Sequence, residues 1–148
     1  MTATRRQARE WAIQMLTAAD LNPTDDIEAF ITGFWAQHES LDEEDGGTGE
    51  KVRGKLKAFA EDRVRGVLQD VASIDAKLSP LLQGWELSRL GTVERAVLRM
   101  GVWELDCCTD IPRAVVINEA IDLANWFSTP KSRVFVNGVL DRYAKGGC

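Results

Sequence analysis

Arg5, Arg6 and Arg9 stand together near the start of the 148-residue chain, and the chemistry such a cluster suits is recognition of anions. A guanidinium is planar, stays charged, and carries five N–H donors in a fork that matches phosphate oxygens. Helix physics does not otherwise account for the three. In the first turns of a helix they oppose the macrodipole, at a cost of about 0.3–1 kcal/mol each. Arg5 and Arg9 also repel as i,i+4 neighbours. A pairing of Arg6 with Glu10 at i,i+4 makes an ordinary solvated face of only one arginine. Lys131 and Arg133, near the start of the last helix, crowd a second positive helix end. Lys51, Arg53, Lys55 and Lys57 spread around their helix and read as solvated surface.

Covalent and metal chemistry have less behind them. His38 has no second histidine or paired cysteine with which to build a zinc site, and it reads as a surface residue. Gly46, Gly47 and Gly49 lack the Lys-Ser/Thr ending of a phosphate loop and read as a linker. Cys107 and Cys108 have no activating histidine, and no G-x-S-x-G elbow occurs. The Asp25/Asp26 pair suits the positive end of a helix. The expectation is therefore no enzyme, no cofactor and no metal.

The net charge of −5 at first sight opposes a polyanionic partner, because phosphate binding rests mainly on cations. Its distribution says otherwise. Residues 20–50 contain ten acids and no Lys or Arg, whereas residues 1–19 sum to +2 and residues 51–148 to +3. A general polyanion binder is excluded; a local cationic face is not. No apolar run approaches the roughly 18 residues of a membrane span, and Glu10 and Gln14 interrupt any signal-peptide core. Three cysteines, two of them adjacent, make no disulfide framework, which favours the reducing cytoplasm.

The elements that must position these residues are helical. Ala8, Trp11, Ala12, Met15, Leu16 and Ala19 form one apolar stripe. Asn22-Pro23-Thr24 ends that helix, and Thr24 is the expected cap of a second one bearing Ile27, Phe30, Ile31, Phe34 and Trp35. After the polar segment 39–50, Val52, Leu56, Phe59, Ala60, Val64, Val67, Leu68 and Val71 mark a third helix, with a continuation through Ile74 and Leu78. Thr92 is the expected cap of a helix running to about Asp106. Residues after Pro112 keep helical spacing through Val116, Ala120, Leu123, Ala124 and Phe127, despite the strand-like Val115-Val116-Ile117. Thr129 and Pro130 open the last helix, with Phe135, Val136, Val139, Leu140 and Tyr143 inward. Burial is the expectation for all five tryptophans.

Four segments resemble the bacterial NusB transcription antitermination family: RRQARE at 5–10, WELSRLGTVERAVLRMGVWEL at 85–105, DIPRAVVINEAIDLANWF at 110–127 and FVNGVLD at 135–141. The resemblance implies an all-α fold of six to seven helices in two small packed bundles. One domain, 1–148, would hold sub-bundles at about 1–80 and 81–148. It also implies a partner, the ribosomal small-subunit protein NusE, and a target, single-stranded boxA RNA of ribosomal RNA operons. That assembly would act indirectly on the RNA polymerase elongation complex and assist ribosomal RNA maturation, without a membrane.

By the same resemblance, RNA contacts fall on Arg5, Arg6 and Arg9, and on Lys131 and Phe135 of the last helix. Glu94 falls on the NusE-contacting surface, although a carboxylate in the first helical turn is equally favoured by the dipole. Gln7 replaces a frequent basic residue and Trp103 a usual tyrosine. Asn118-Glu119 and Asn137-Gly138 match the family and read as structural, Gly138 allowing close helix approach. Two other readings stay open. One is a helical adaptor that binds only protein. The other is the NusB-like domain of a ribosomal RNA cytosine methyltransferase, which would need a cofactor-binding glycine motif that these 148 residues lack.

Overall fold

Seven α-helices and two short 3-10 turns build the chain in a computed structural model that describes residues 4–39, 50–127 and 129–146. The helices are α1 (Arg5–Leu21), α2 (Ile27–Glu39), α3 (Glu50–Gln69), α4 (Val71–Leu78), α5 (Thr92–Cys107), α6 (Arg113–Phe127) and α7 (Pro130–Ala144). No strand occurs among the described residues, so the β-branched run at 115–117 is helical, as its spacing predicts. The glycine-rich segment 40–49 and Cys148 lie outside the described residues, as do the side chains of Lys51, Val52, Trp126 and Phe127.

The chain forms two units, Met1–Arg65 and Gly66–Cys148, with the division falling within α3. In the first unit the expected α1 stripe, Ala8 through Ala19, is buried throughout. Each large apolar side chain removed from water there contributes about 1.5–3 kcal/mol. Trp11 of α1 and Trp35 of α2 are buried edge to face, with ring centroids 5.3 Å apart. Trp35 Nε1 donates to Glu61 of α3 at 2.7 Å, so the indole is satisfied as it is buried. Arg65 clasps Glu28 at 2.7 and 2.9 Å, tying α3 to α2.

The second unit has an apolar interior in which Glu104 and Ser132 are also buried. Ile74 and Leu78 of α4, Val97, Leu98 and Met100 of α5, Leu123 of α6, and Val139 and Leu140 of α7 are all buried. Gly101 of α5 is needed for close approach, since a Cβ there would stand 2.8 Å from Leu140 Cδ1. Gly138, the position expected to serve that purpose, would meet only the end of the Arg142 side chain, at 3.4 Å. Gly66 lies directly under the Trp103 indole, leaving no room for a side chain. Arg99 forks onto Asp75 at 2.8 and 2.9 Å, joining α5 to α4. Asp106 accepts from Lys77 at 2.8 Å and from the Tyr143 hydroxyl at 2.7 Å, gathering α4, α5 and α7.

Several local expectations shift. Thr24 forms its own turn by accepting from the Asp26 N–H at 3.1 Å, and Asp26 then caps α2 by accepting from Ala29 at 3.0 Å. Two side chains competed for that role, and the one adjacent to the helix took it. Gly91 caps α5, and Thr92 is already its first helical residue. The third helix does not run on unbroken: α3 stops at Gln69, and α4 starts after Asp70. Thr129 and Pro130 open α7 as expected. Trp85 is 62 % exposed rather than buried, because it leaves a turn made by Gln83 and Gly84, both at positive φ, away from any helix face.

Candidate nucleic-acid interface

Thr4 caps α1 by accepting from the Gln7 N–H at 3.3 Å, which sets Arg5 and Arg6 as the first two helical residues. Both are exposed. Arg9 is not; it borders the stripe between Ala8 and Ala12 and is 3 % exposed. At that exposure the guanidinium is covered along with the stem.

The feature that organises this end of the first unit is Phe59 of α3. The Arg5 and Arg9 guanidiniums lie over its ring at 5.3 and 5.2 Å from the centroid. Arg63, one helical turn further along α3, stacks much closer at 3.4 Å and donates to the Phe59 carbonyl at 3.2 Å. Residues four apart on a helix share a face, so Phe59 and Arg63 meet by sequence spacing alone. Three guanidiniums thus gather on one half-buried ring. Each cation over an aromatic face gains about 0.5–1 kcal/mol when exposed and about 2 when desolvated.

The same pattern continues along α3. Arg53 lies 5.7 Å over Trp11, and Lys57 Nζ lies 4.8 Å over Trp35. These two are therefore not simply solvated, as their spread around the helix suggests. Their signal in the sequence was the pairing of basic positions with aromatic ones on neighbouring helices, which helical periodicity within one helix does not reveal. His38 departs from expectation for the same reason. It is half-buried, stacks on Phe34 with the rings 14° from parallel, and meets Trp11 and Trp35 edge-on.

Lys131 and Phe135 belong to the second unit. Lys131 is exposed in the first turn of α7, and Phe135 is half-buried. Glu94 is half-buried in the first turn of α5 and accepts a short hydrogen bond from the buried Ser132 hydroxyl. Ser132 follows Lys131, so Glu94 is tied to the turn of α7 that carries this lysine. Asn118 and Asn137 are both exposed.

Little else supports chemistry. Burial pushes the Cys107 thiol up, with Asp106 adding to it, so the nucleophilic thiolate is disfavoured. Among the described residues no group of His, Cys, Asp and Glu could hold a metal, and no helix is long and apolar enough to cross a membrane.

The NusB family model matches residues 6–145. The chain belongs to the NusB family. It is 42% identical over 144 residues to the transcription antitermination protein NusB of a Nitratiruptor species, covering 97% of this chain and 93% of that one. To NusB of Campylobacter jejuni (strain RM1221) it is 39% identical over 143 residues, with 97% of each chain covered. The solved structure of T. maritima NusB superposes with a TM-score of 0.79 at 34% identity, covering 99% of this chain and 94% of that one. A crystal structure of the antitermination factors NusB and NusE in complex with dsRNA matches with a TM-score of 0.73 at 28% identity, covering 95% of this chain and 96% of that one. The Nitratiruptor and Campylobacter jejuni relatives are both transcription antitermination proteins by name.

Proposed function

We propose that this chain acts in the cytoplasm with NusE to bind single-stranded boxA RNA of ribosomal RNA operons. The bound pair promotes antitermination by RNA polymerase and assists ribosomal RNA maturation. The observation that carries the reading is the cationic cluster at the start of α1, with Arg5 and Arg6 exposed and Arg5 and Arg9 held at Phe59. Arg5 and Arg6 supply phosphate contacts, and Arg9 adds fixed charge behind them. Lys131 and Phe135 of the second unit add a further cation and an aromatic face, a pairing suited to unpaired bases. Glu94 contributes to the NusE surface.

Three to five cations release few counterions, so the chain alone binds weakly, with a slope of log K against log salt of about −2 to −3.5. NusE sharing the same RNA raises affinity by making the second contact intramolecular. The test is titration of boxA RNA with and without NusE, at two salt concentrations, for the wild type and for Arg5→Ala/Arg6→Ala/Arg9→Met. The variant should lose most RNA binding and retain its helical circular dichroism. Unchanged affinity would remove the arginines from the site. Equal binding of a duplex of the same sequence would overturn the preference for single strands.

A further inference from the structure

Among the described residues the exposed large apolar side chains are Leu21, Trp85, Val115 and Val134, and only Trp85 is aromatic. The loop that carries it is pinned on both sides. Upstream, Arg142 donates to the Leu81 carbonyl at 2.9 Å. Downstream, Arg95 donates to the carbonyls of Leu87, Ser88 and Leu90 at 3.3, 3.2 and 2.6 Å. Between these anchors Gln83 and Gly84 take φ values of 52° and 92°, and the Trp85 N–H returns to the Leu82 carbonyl at 3.2 Å. A residue other than glycine seldom adopts positive φ, so the turn is specifically shaped. It presents the indole to solvent from a fixed backbone.

The surroundings select the ligand. Gln83, Gly84, Glu86 and Ser88, beside Trp85 in the chain, are exposed and offer no apolar side chain. The aromatic anchor of a protein interface instead sits in a well-packed, desolvated pocket. Positive charge is at hand. Arg89 meets Glu86 at 3.5 Å and is 77% exposed, and Lys131 and Arg133 of α7 are exposed. Two adjacent residues of α5 hold the loop and the start of α7 at one end of the second unit: Arg95 binds the loop carbonyls, and Glu94 accepts from Ser132. Unpaired nucleic acid is bound by such a combination, with bases stacked on rings and phosphates met by cations.

We propose that Trp85 is a stacking platform for one base of unpaired RNA, extending the contact made at Lys131 and Phe135. The inference rests on the RNA-binding reading above. The experiment titrates fluorescently labelled boxA RNA, flanked on each side by unpaired nucleotides, into the full chain with NusE present. Trp85→Leu should weaken binding by about fivefold or more, the loss of one stacked base. Its salt slope should stay that of the wild type, because no cation has been lost. Trp85→Phe should retain most of the binding. Removing the RNA bases one at a time should find a position that weakens wild-type binding and has no further effect in Trp85→Leu. Without RNA, NusE should bind both proteins equally. Should Trp85→Leu lose its helical circular dichroism, Trp85→Gln takes its place.

Wild-type RNA affinity for Trp85→Leu would overturn the platform and leave the RNA site standing. Equal losses for Trp85→Phe and Trp85→Leu, or additive losses at every abasic position, would overturn stacking. Weakened NusE binding by Trp85→Leu in the absence of RNA would make this loop a protein contact instead. Failure of the wild-type pair to bind the RNA would remove the RNA reading itself, and this proposal with it.

Discussion

Positive charge is held in two ways: on carboxylates in both units, as where Arg65 clasps Glu28, and on aromatic rings in the first. In the first, Arg5, Arg9, Arg53, Lys57 and Arg63 each lie against an aromatic face. In the second, Lys77 and Arg99 lie against Asp106 and Asp75. A carboxylate partner neutralises a cation and turns it into a structural tie. An aromatic partner fixes the cation in space and leaves its field intact. One chain thus holds the same kinds of side chain by two different contacts.

The contrast breaks most visibly at Asp75. Its side chain and that of Arg99 are 28% and 15% exposed, and the pair is bidentate. Asp75→Ala removes the Asp75 carboxylate from a largely covered guanidinium, a change that for fully buried pairs costs about 3–5 kcal/mol. With solvent screening the expected loss is about 1–3 kcal/mol in chemical denaturation. RNA affinity of the folded variant should match the wild type. Weakened binding with no loss of stability would reverse the roles assigned to the two kinds of contact.

A subtler effect concerns pH. Tyr143 is the only tyrosine, and burial, together with its hydrogen bond to Asp106, pushes its pKa up to about 12. An unperturbed phenol titrates near pH 10. The folded protein therefore binds this proton more tightly than the unfolded chain does. The resulting stability is full below about pH 10 and is lost as pH rises towards 12. Lys77, held up by its hydrogen bond to Asp106, acts in the same direction. Phenolate absorbance should rise late in the native protein, and Tyr143→Phe should remove the phenol's share of the alkaline loss. A phenolate appearing near pH 10 in folded protein would show that the Asp106 contact does not persist in solution.

The smallest effect is expected at Lys57, over Trp35. Lys57→Met keeps the covering stem and removes the charge, so stability should fall by no more than about 1 kcal/mol. Melting curves of Lys57→Met and Asp75→Ala, measured together, compare the two modes of holding a cation. Equal losses would erase the difference between the two kinds of contact.

Much of this was legible in the residues. Helical spacing located α1, α5, α6 and α7 closely, because their stripes meet strong stops such as Asn22-Pro23 and Thr129-Pro130. The break at Asp70 was not legible, since Val67, Val71 and Ile74 keep helical spacing across it. The arginine cluster stood out because it opposes its own helix dipole. What spacing could not show was the partner. Phe59 reads as one more inward residue of α3, and its meeting with Arg5 and Arg9 depends on how α1 lies against α3. The burial of Arg9 and the aromatic setting of His38 were hidden for the same reason.

Gly101 and Leu140 have a consequence for how such a sequence can drift. The missing side chain on α5 and the branched one on α7 occupy a single shared volume, with no slack for one more methyl group. Neither position is then free to enlarge independently. A change from glycine to alanine at 101 becomes tolerable when 140 shrinks in the same lineage, and a larger residue at 140 demands that 101 remain bare. The two sites should vary as a complementary pair, one gaining what the other gives up, although 39 positions separate them along the chain.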